Sequence, residues 1–322
     1  VKYNELTKDE LKLFDSYMQL LKVSQPSFHD IVSRLTGYCD TKIFIFGTGG
    51  LSHYIQKECE KRKISYYVIP RIELYSEEGT IIFDENKRNV CINTIGWGDV
   101  QGCENDKIKS LESNALSVYH VMRKCCGHDL IHISTNDVFG NYPSSELSFD
   151  TKVEPKPTSN TYCQHKYLAE NILTTTYDQD KLTIIRGTFM SPWSQSKGGY
   201  TFYYKALQKI RNNEEVNGYT NQLTCPVSVD TYARAIVDVA LDVSAKNTRS
   251  NVFKHIASNK CSRYSLLCDM ARKITGNTQK IKGSLYGGNG PVNAVLSPAA
   301  YNLSEEVDKF IKLCNGVSGF DV

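Results

Sequence analysis

Lys42-Ile43-Phe44-Ile45-Phe46-Gly47-Thr48-Gly49-Gly50-Leu51 joins an apolar, β-prone run to a glycine turn, and the residues after it have helical spacing. A strand over Lys42–Phe46 that breaks into glycines and re-forms as a helix near Leu51–Arg62 predicts a dinucleotide-binding unit. Glycines let a pyrophosphate approach the backbone, and the helix N-terminus offers N–H donors and the positive end of its dipole. Read as G-x-x-G-x-x-G, the stretch has Gly47 and Gly50 but His53 at the third place. Glycine there normally permits close helix–strand packing, so a slightly displaced helix is expected. Plain strand–helix turns also use glycine. The position at the head of an alternating region favours the cofactor reading.

Working outward, short β-rich runs alternate with helical stretches. Strands are expected at Ser65–Ile69, Thr80–Phe83, Val90–Thr94, Leu130–Ser134 and Leu182–Arg186. Helices are expected over about 106–124 and over Tyr162–Tyr177. This order implies an α/β, doubly wound parallel sheet with its ligands at the carboxyl ends of the strands. After about residue 190 the regularity fades into two glycine-rich loops, around 197–199 and 287–290, and a late helix near Ser304–Leu313. The organisation read from this is a helical extension over 1–40 and a nucleotide-binding domain over 41–190, with return segments near 227–260. A mainly substrate-binding lobe then covers 191–322.

Residues 1–38 read as two capped helices that a nucleotide-binding unit does not require. The chain begins at Val1, which fits release from a longer polypeptide as well as a free start, so a homodimer or an upstream enzyme partner is expected. A net charge of +3 over 322 residues, with scattered Lys and Arg, gives no footprint for nucleic acid or an anionic membrane. No apolar run reaches the length of a bilayer span, and the start lacks a secretory pattern. Eleven cysteines without a C-x-x-C pair read as reduced thiols and not as metal ligands, so a cytoplasmic location is expected.

The chemistry is read from three places. Tyr162-Cys163-Gln164-His165-Lys166 is a Y-x-x-x-K pair, which a helix brings to one face. Tyrosine near its ordinary pKa of about 10 is a poor acid–base group, and a neighbouring ammonium would stabilise its phenolate. Tyr38/Lys42 and Tyr177/Lys181 share the spacing but run into strands, where residues four apart are not neighbours. Ser134-Thr135 ends a strand at the edge where a reacting carbonyl would lie, so Thr135 is a candidate hydrogen-bond donor to it; a helix-cap hydroxyl is the plain alternative. At the end of the second strand stands Arg71, with no acid before Glu73. An acid there would hold the ribose hydroxyls of NAD, whereas Arg suits the 2′-phosphate of NADP(H). Trp97 and Trp193 both follow strands on the same edge and are candidate ligand walls.

These pieces, in this order from about Lys42 to Leu296, resemble the extended short-chain dehydrogenases/reductases that act on nucleotide-activated sugars. Within them the likeness is to dTDP-4-dehydrorhamnose reductases and the reductase domain of plant-type UDP-rhamnose synthases. Asn93-Thr94-Ile95-Gly96 resembles their N-A-A-G/A segment, while Val100, Cys103 and Glu104 match V-D-x-C-E, with Gln101 in place of its Asp. His132-Ile133-Ser134-Thr135 is similar to their I-S-T strand end, Ser113-Asn114 to V-N, and Arg186-Gly187-Thr188 to R-x-S/T. Asn221 to Pro226 has the spacing of D-Q-x-G-x-P, and Pro291 to Leu296 fits R-P-x-N-S-x-L with Gly290 in place of Arg.

The resemblance implies a Rossmann-type fold and NADP(H) held by Gly47, Thr48, Gly49, Gly50, Leu51, Arg71, Thr94, Ile95, Gly96, Tyr162 and Lys166. It further implies a nucleotide-sugar substrate touched by Trp97, Asp137, Trp193 and Gln222, with catalysis by Thr135, Tyr162 and Lys166. Ser134-Thr135-Asn136-Asp137 is also similar to the S-T-D-E of 4,6-dehydratases, but Asn136 replaces the first acid. Reduction of a 4-keto-6-deoxyhexose is therefore expected ahead of epimerisation or dehydration. A non-catalytic regulator like the β subunit of methionine adenosyltransferase is the remaining alternative.

Overall fold

The computed structural model describes residues 41–75, 81–85, 87–125, 127–140, 142, 148–192, 201–242, 252–288 and 291–316. The expected helices of 1–40, Trp193 and the 197–199 loop lie outside the described residues.

Aromatic and β-branched residues favour extended backbone, and β1 forms at Thr41–Phe46 with Ile43, Phe44, Ile45 and Phe46 all buried. Unbroken burial means that both faces of the strand are covered, as parallel sheets require. β2 (Ser65–Ile69), β3 (Arg88–Asn93), β4 (Asp129–Ile133) and β5 (Leu182–Gly187) follow. Next come four short strands, β6 (Phe189–Met190), β7 (Val216–Tyr219), β8 (Leu223–Thr224) and β9 (Val227–Ser228). β10 (Phe253–Ile256) then returns to the central sheet. The six central strands are parallel, in the order β2-β1-β3-β4-β5-β10. From β1 the chain crosses outward to β2 and then back to β3 on the other side. The carboxyl ends of β1 and β3 therefore flank a topological switch point, where such sheets open a crevice.

Phe44, Phe46, Cys91, Leu130 and Ile184 enclose one core with Val118 and Val121 of the helix Ser117–Cys125 and Ala169 and Leu173 of the helix Thr161–Thr176. Ile43 and Ile45 alternate to the other side of β1. The helix Gly50–Lys61 packs there against the helix Val229–Leu241. A second core, with Leu207, Leu266, Leu267, Met270, Val307 and Phe310, joins the helices Phe202–Arg211, Arg263–Thr275 and Leu303–Asn315 into a smaller C-terminal lobe. That lobe also holds two small pairings, β7 with β12 (Ile281–Ser284) and β8 with β11 (Cys261–Ser262). Nine cysteines are described, and all of them are buried. No helix among the described residues is long and apolar enough to cross a membrane.

Two expected elements differ. Ile81–Phe83 is not a strand: the Phe83 ring packs at a tilt against Phe44 (4.7 Å between ring centroids) and His128 (4.1 Å), so its apolar character serves side-chain packing and not sheet pairing. The expected helix of 106–124 is a rod in three parts, Lys107–Leu111, a π-wound Glu112–Leu116 and Ser117–Cys125. Before it stands a separate short helix, Val100–Asn105. Asp99 caps that helix through Gly102 N, and Asp106 caps the rod through Lys109 N.

Beneath the carboxyl edge of β4 and β5, Arg186 and Glu170 form a dry, two-pronged ion pair, with Nη2 2.7 Å and Nε 3.0 Å from the carboxylate oxygens. Ser134 donates its hydroxyl to the same carboxylate, and the guanidinium lies 3.9 Å from the ring centre of Phe253. Removing one partner of a buried pair strands the other charge. Arg186→Leu is therefore expected to lower unfolding free energy by about 3–5 kcal/mol in urea denaturation. A loss under about 1 kcal/mol would mean that the pair is a solvated contact.

Candidate active site

The turn after β1 bends at Gly47 with φ +105°, in the left-handed region open to glycine. A Cβ at Gly47 would also stand 2.9 Å from Thr94 Oγ1, which donates to Phe46 O and ties the turn to the end of β3. Gly49 is the N-cap of the helix Gly50–Lys61 and supplies no side-chain cap. The first N–H groups of that helix are thus left for a ligand, which fits a pyrophosphate. Gly47, Thr48, Gly49, Gly50, Leu51 and Arg71 border a cleft of about 470 Å³, closed on its other side by Thr94, Ile95, Gly96 and Trp97. Arg71 lies in this cleft, whereas Glu73 lines a different one. Asp99 is the acid at its rim, and its carboxylate is engaged by Gly102 N. His53 is exposed, outside the helix–sheet contact, so the displacement expected from it has no wedge to cause it.

A second cleft of about 310 Å³ continues from the first through Leu51 and the Thr94–Gly98 loop. Thr135, Asp137, Tyr162 and Lys166 all line it. Asn160 caps the helix Thr161–Thr176 by accepting from Cys163 N. Glu104 accepts from Thr161 N (2.7 Å) and from the Thr161 hydroxyl (2.9 Å), which fixes where the helix begins. In its first turn Tyr162 faces the cleft; one turn further, Lys166 is buried and donates from Nζ to Ile133 O at 2.7 Å. Glu170, a turn beyond, holds Ser134. Of the Ser134-Thr135 pair, Thr135 is therefore the hydroxyl left at the cleft. Its Oγ1 also accepts from Asp137 N at 3.2 Å, so it caps the 3-10 turn Asn136–Phe139 as well.

Enclosure raises the Tyr162 pKa far above its ordinary value, the Asp137 carboxylate adds to this, and a hydrogen bond with Thr135 opposes it. Burial also raises Asp137, against the pull of Arg263. Burial pushes Lys166 down to about 8, with Glu170 acting the other way. The sequence places an ammonium beside Tyr162 to favour the phenolate. In the structure Tyr162 is instead held as the neutral phenol, and Lys166 is turned to the Ile133 carbonyl.

Trp97 borders both clefts, with Lys109 Nζ 4.4 Å from its ring centre. Gln222 borders neither: it is buried in the C-terminal lobe, donating from Nε2 to Pro291 O at 2.9 Å. The spacing that suggested a substrate contact there reflects a hydrogen bond that ties β8 to the segment after Pro291. Three contributors carry no catalytic signature in the sequence. Asn114, in the π-wound turn, clamps the Trp97 backbone, accepting from its N (2.7 Å) and donating to its O (3.1 Å). Lys109 and Phe189 border the first cleft. Only the V-N resemblance at Ser113-Asn114 marked any of these.

The family described as the RmlD substrate binding domain matches residues 41–294. Among solved structures, a dTDP-4-dehydrorhamnose reductase from Clostridium acetobutylicum superposes with TM-score 0.69 at 18% identity, covering 85% of this chain and 99% of that one. The corresponding reductase from Bacillus anthracis, in complex with NADP, gives 0.67 at 17%, covering 84% and 98%. A UDP-glucose 4-epimerase from Thermus thermophilus, in complex with NAD, gives 0.66 at 14%, covering 86% and 99%. At such identities these likenesses establish the fold alone. No curated protein matches the chain.

The position of Lys166 has a thermodynamic signature. Its folded pKa, about 8, is below the ordinary lysine value of 10.5. Between those limits the unfolded chain binds a proton that the folded one releases, so stability rises with pH there, and the burial penalty is complete below pH 8. Relative to Lys166→Met, the wild type should gain about 3 kcal/mol between about pH 7 and pH 10.5 in parallel urea titrations. A difference that stays flat would place the amine in water.

Proposed function

We propose that this chain, which belongs to the RmlD substrate binding domain family and so to the extended short-chain dehydrogenase/reductase type of nucleotide-sugar oxidoreductase, reduces the 4-keto carbon of a nucleotide-linked 6-deoxyhexose with NADPH. The observation that carries this reading is the meeting of Thr135, Tyr162 and Lys166 in one cleft that runs into the Gly47–Leu51 turn. A nicotinamide dinucleotide, when bound, supplies the hydride. The glycine turn and the uncapped helix start hold its pyrophosphate, Thr94 to Gly96 wall it, and Arg71 receives the 2′-phosphate that distinguishes NADP(H).

Thr135 and Tyr162 converge on the space for a ketone oxygen. As negative charge grows on that oxygen, Tyr162 donates its proton; enclosure and Asp137 keep the phenol protonated until then. Lys166 anchors the nicotinamide ribose and, when charged, strengthens Tyr162 as an acid. Asp137 and Trp97 border the remaining space and contact the sugar, with Trp193 assigned an outer role. We assign residues 41–190, with the returning helix Val229–Leu241 and β10, to the cofactor, and the rest of 191–322 mainly to the substrate.

Asn136 supports reduction over dehydration. Its Nδ2 donates to Ala294 O at 2.7 Å in a buried site, so the residue standing where dehydratases have their first acid is a strut. Tyr162 held as an acid likewise suits proton donation, the reductive direction.

Tyr162→Phe should lower turnover of a dTDP- or UDP-linked 4-keto-6-deoxyhexose by about 10²–10⁴-fold, with NADPH affinity within about threefold of wild type. Unchanged NADPH oxidation would end the proposal. Arg71→Ala should reduce the preference for NADPH over NADH by about 10-fold or more, since a charge-assisted contact contributes about 1.5–3 kcal/mol. Equal losses for both cofactors, read by fluorescence titration, would remove Arg71 from the 2′-phosphate.

A further inference from the structure

Behind Lys166, on the side away from the cleft, stands a line of buried polar groups that the reduction does not use. Asn93 and His132 are each 1% exposed, and Lys166 is 4% exposed. β3 and β4 pair in register so that Asn93 stands opposite His132. Ile95 N donates to Asn93 Oδ1 at 3.0 Å, which fixes the amide with its nitrogen toward the ring. Asn93 Nδ2 is 3.0 Å from His132 Nδ1, and an amide nitrogen only donates, so Nδ1 must accept. A neutral imidazole that accepts at Nδ1 carries its proton on Nε2. Nε2 lies 3.4 Å from Lys166 Nζ, which already donates to Ile133 O. A lysine ammonium has donors and no acceptor. It would therefore set N–H against N–H across this contact. A neutral amine has a lone pair to receive Nε2–H and a hydrogen to give Ile133 O, so every group is satisfied. The other tautomer merely moves the clash to Asn93, and burial beside Lys166 disfavours the imidazolium.

We propose that Asn93 and His132 are positioning residues that fix an N–H donor against Lys166 Nζ and so disfavour its ammonium form. The remaining groups around Lys166 do not remove this constraint. From its own helix, Glu170 favours the ammonium, but its carboxylate is shared between Arg186 of β5 and Ser134. Tyr162 is a neutral phenol one turn earlier, with Asp137 acting on it, and β4 otherwise presents the Ile133 carbonyl. The meaning for turnover rests on the proposed reduction. Lys166 would pass between ammonium and amine within the working pH range and so set the alkaline limb of the rate.

The test is made on the cofactor-free protein, so it does not depend on the substrate. In ¹⁵N-histidine-labelled protein, assigned with His132→Leu, the His132 ring should be neutral with its proton on Nε2. The Lys166 Cε resonance, assigned with Lys166→Met, should titrate near 8. In Asn93→Asp the new carboxylate can accept from both Ile95 N–H and Nδ1–H. The ring proton should then move to Nδ1 and the Lys166 midpoint rise by about one unit or more. His132→Leu should raise the midpoint without adding charge, which separates the donor effect from simple electrostatics. A wild-type ring protonated on Nδ1, or a Lys166 midpoint unmoved in His132→Leu, would overturn the proposal. Inactivity toward keto-sugars with these spectra intact would overturn the reduction instead.

Discussion

Glu170 is buried from solvent, and its charge is tolerable only because Arg186 meets it with two donors and Ser134 adds a third. This contact joins the helix Thr161–Thr176 to the ends of β4 and β5, and the active-site geometry depends on it. Tyr162 and Lys166 lie two turns and one turn before Glu170 on the same helix face, so fixing Glu170 fixes how far those side chains reach over the sheet edge. Glu104 sets the other end by holding Thr161. Between these anchors the helix has little freedom to slide, so the Tyr162 phenol keeps a fixed place at the cleft.

The cofactor cleft is built on a different principle. Its floor is backbone, exposed by Gly47, Gly49 and Gly50, and it needs a rigid opposite wall because glycine turns are not stiff. That wall is the Thr94–Gly98 loop, which is braced from behind. Thr94 is tied to the Phe46 carbonyl, and Asn114 clamps both backbone atoms of Trp97. The Cys103 thiol donates to Trp97 O as well. The π-wound turn at Glu112–Leu116 shifts the helix register around Asn114, the residue that reaches this loop. A stretch that binds no ligand thereby decides where a ligand can lie.

Legibility in the sequence followed how local each signal was. The turn at Gly47 and the Tyr162/Lys166 pair each rest on fewer than ten consecutive residues, and the structure brings both to the same edge. The Ser134-Thr135 pair was legible as a location but not as a division of labour, because Glu170, which captures Ser134, lies 36 residues away. Ile81–Phe83 looked like a strand because a segment packing aromatic rings on a sheet has the same composition as one joining it. β10 was read only as part of a return segment near 227–260 and not as a strand, because its partner β5 lies far back along the chain. Gln222 was placed at the substrate by a motif resemblance, and the structure shows its amide serving the lobe's interior instead. His132, beside the most conspicuous lysine, was invisible as more than a strand residue, since its significance arises only across two neighbouring strands.

The site's proton inventory follows from the same burial that builds the core. Water around Tyr162 and Lys166 would level both toward their ordinary values, giving a phenol and an ammonium at neutral pH with no tension between them. Enclosure acts on the two in opposite senses, because the phenolate and the ammonium are both the charged forms and both lose hydration. Tyr162 is driven to keep its proton while Lys166 is driven to release one. Both shifts run toward the neutral forms, which cost least in an enclosed pocket. A ligand that brings its own hydroxyl groups and charge changes that balance.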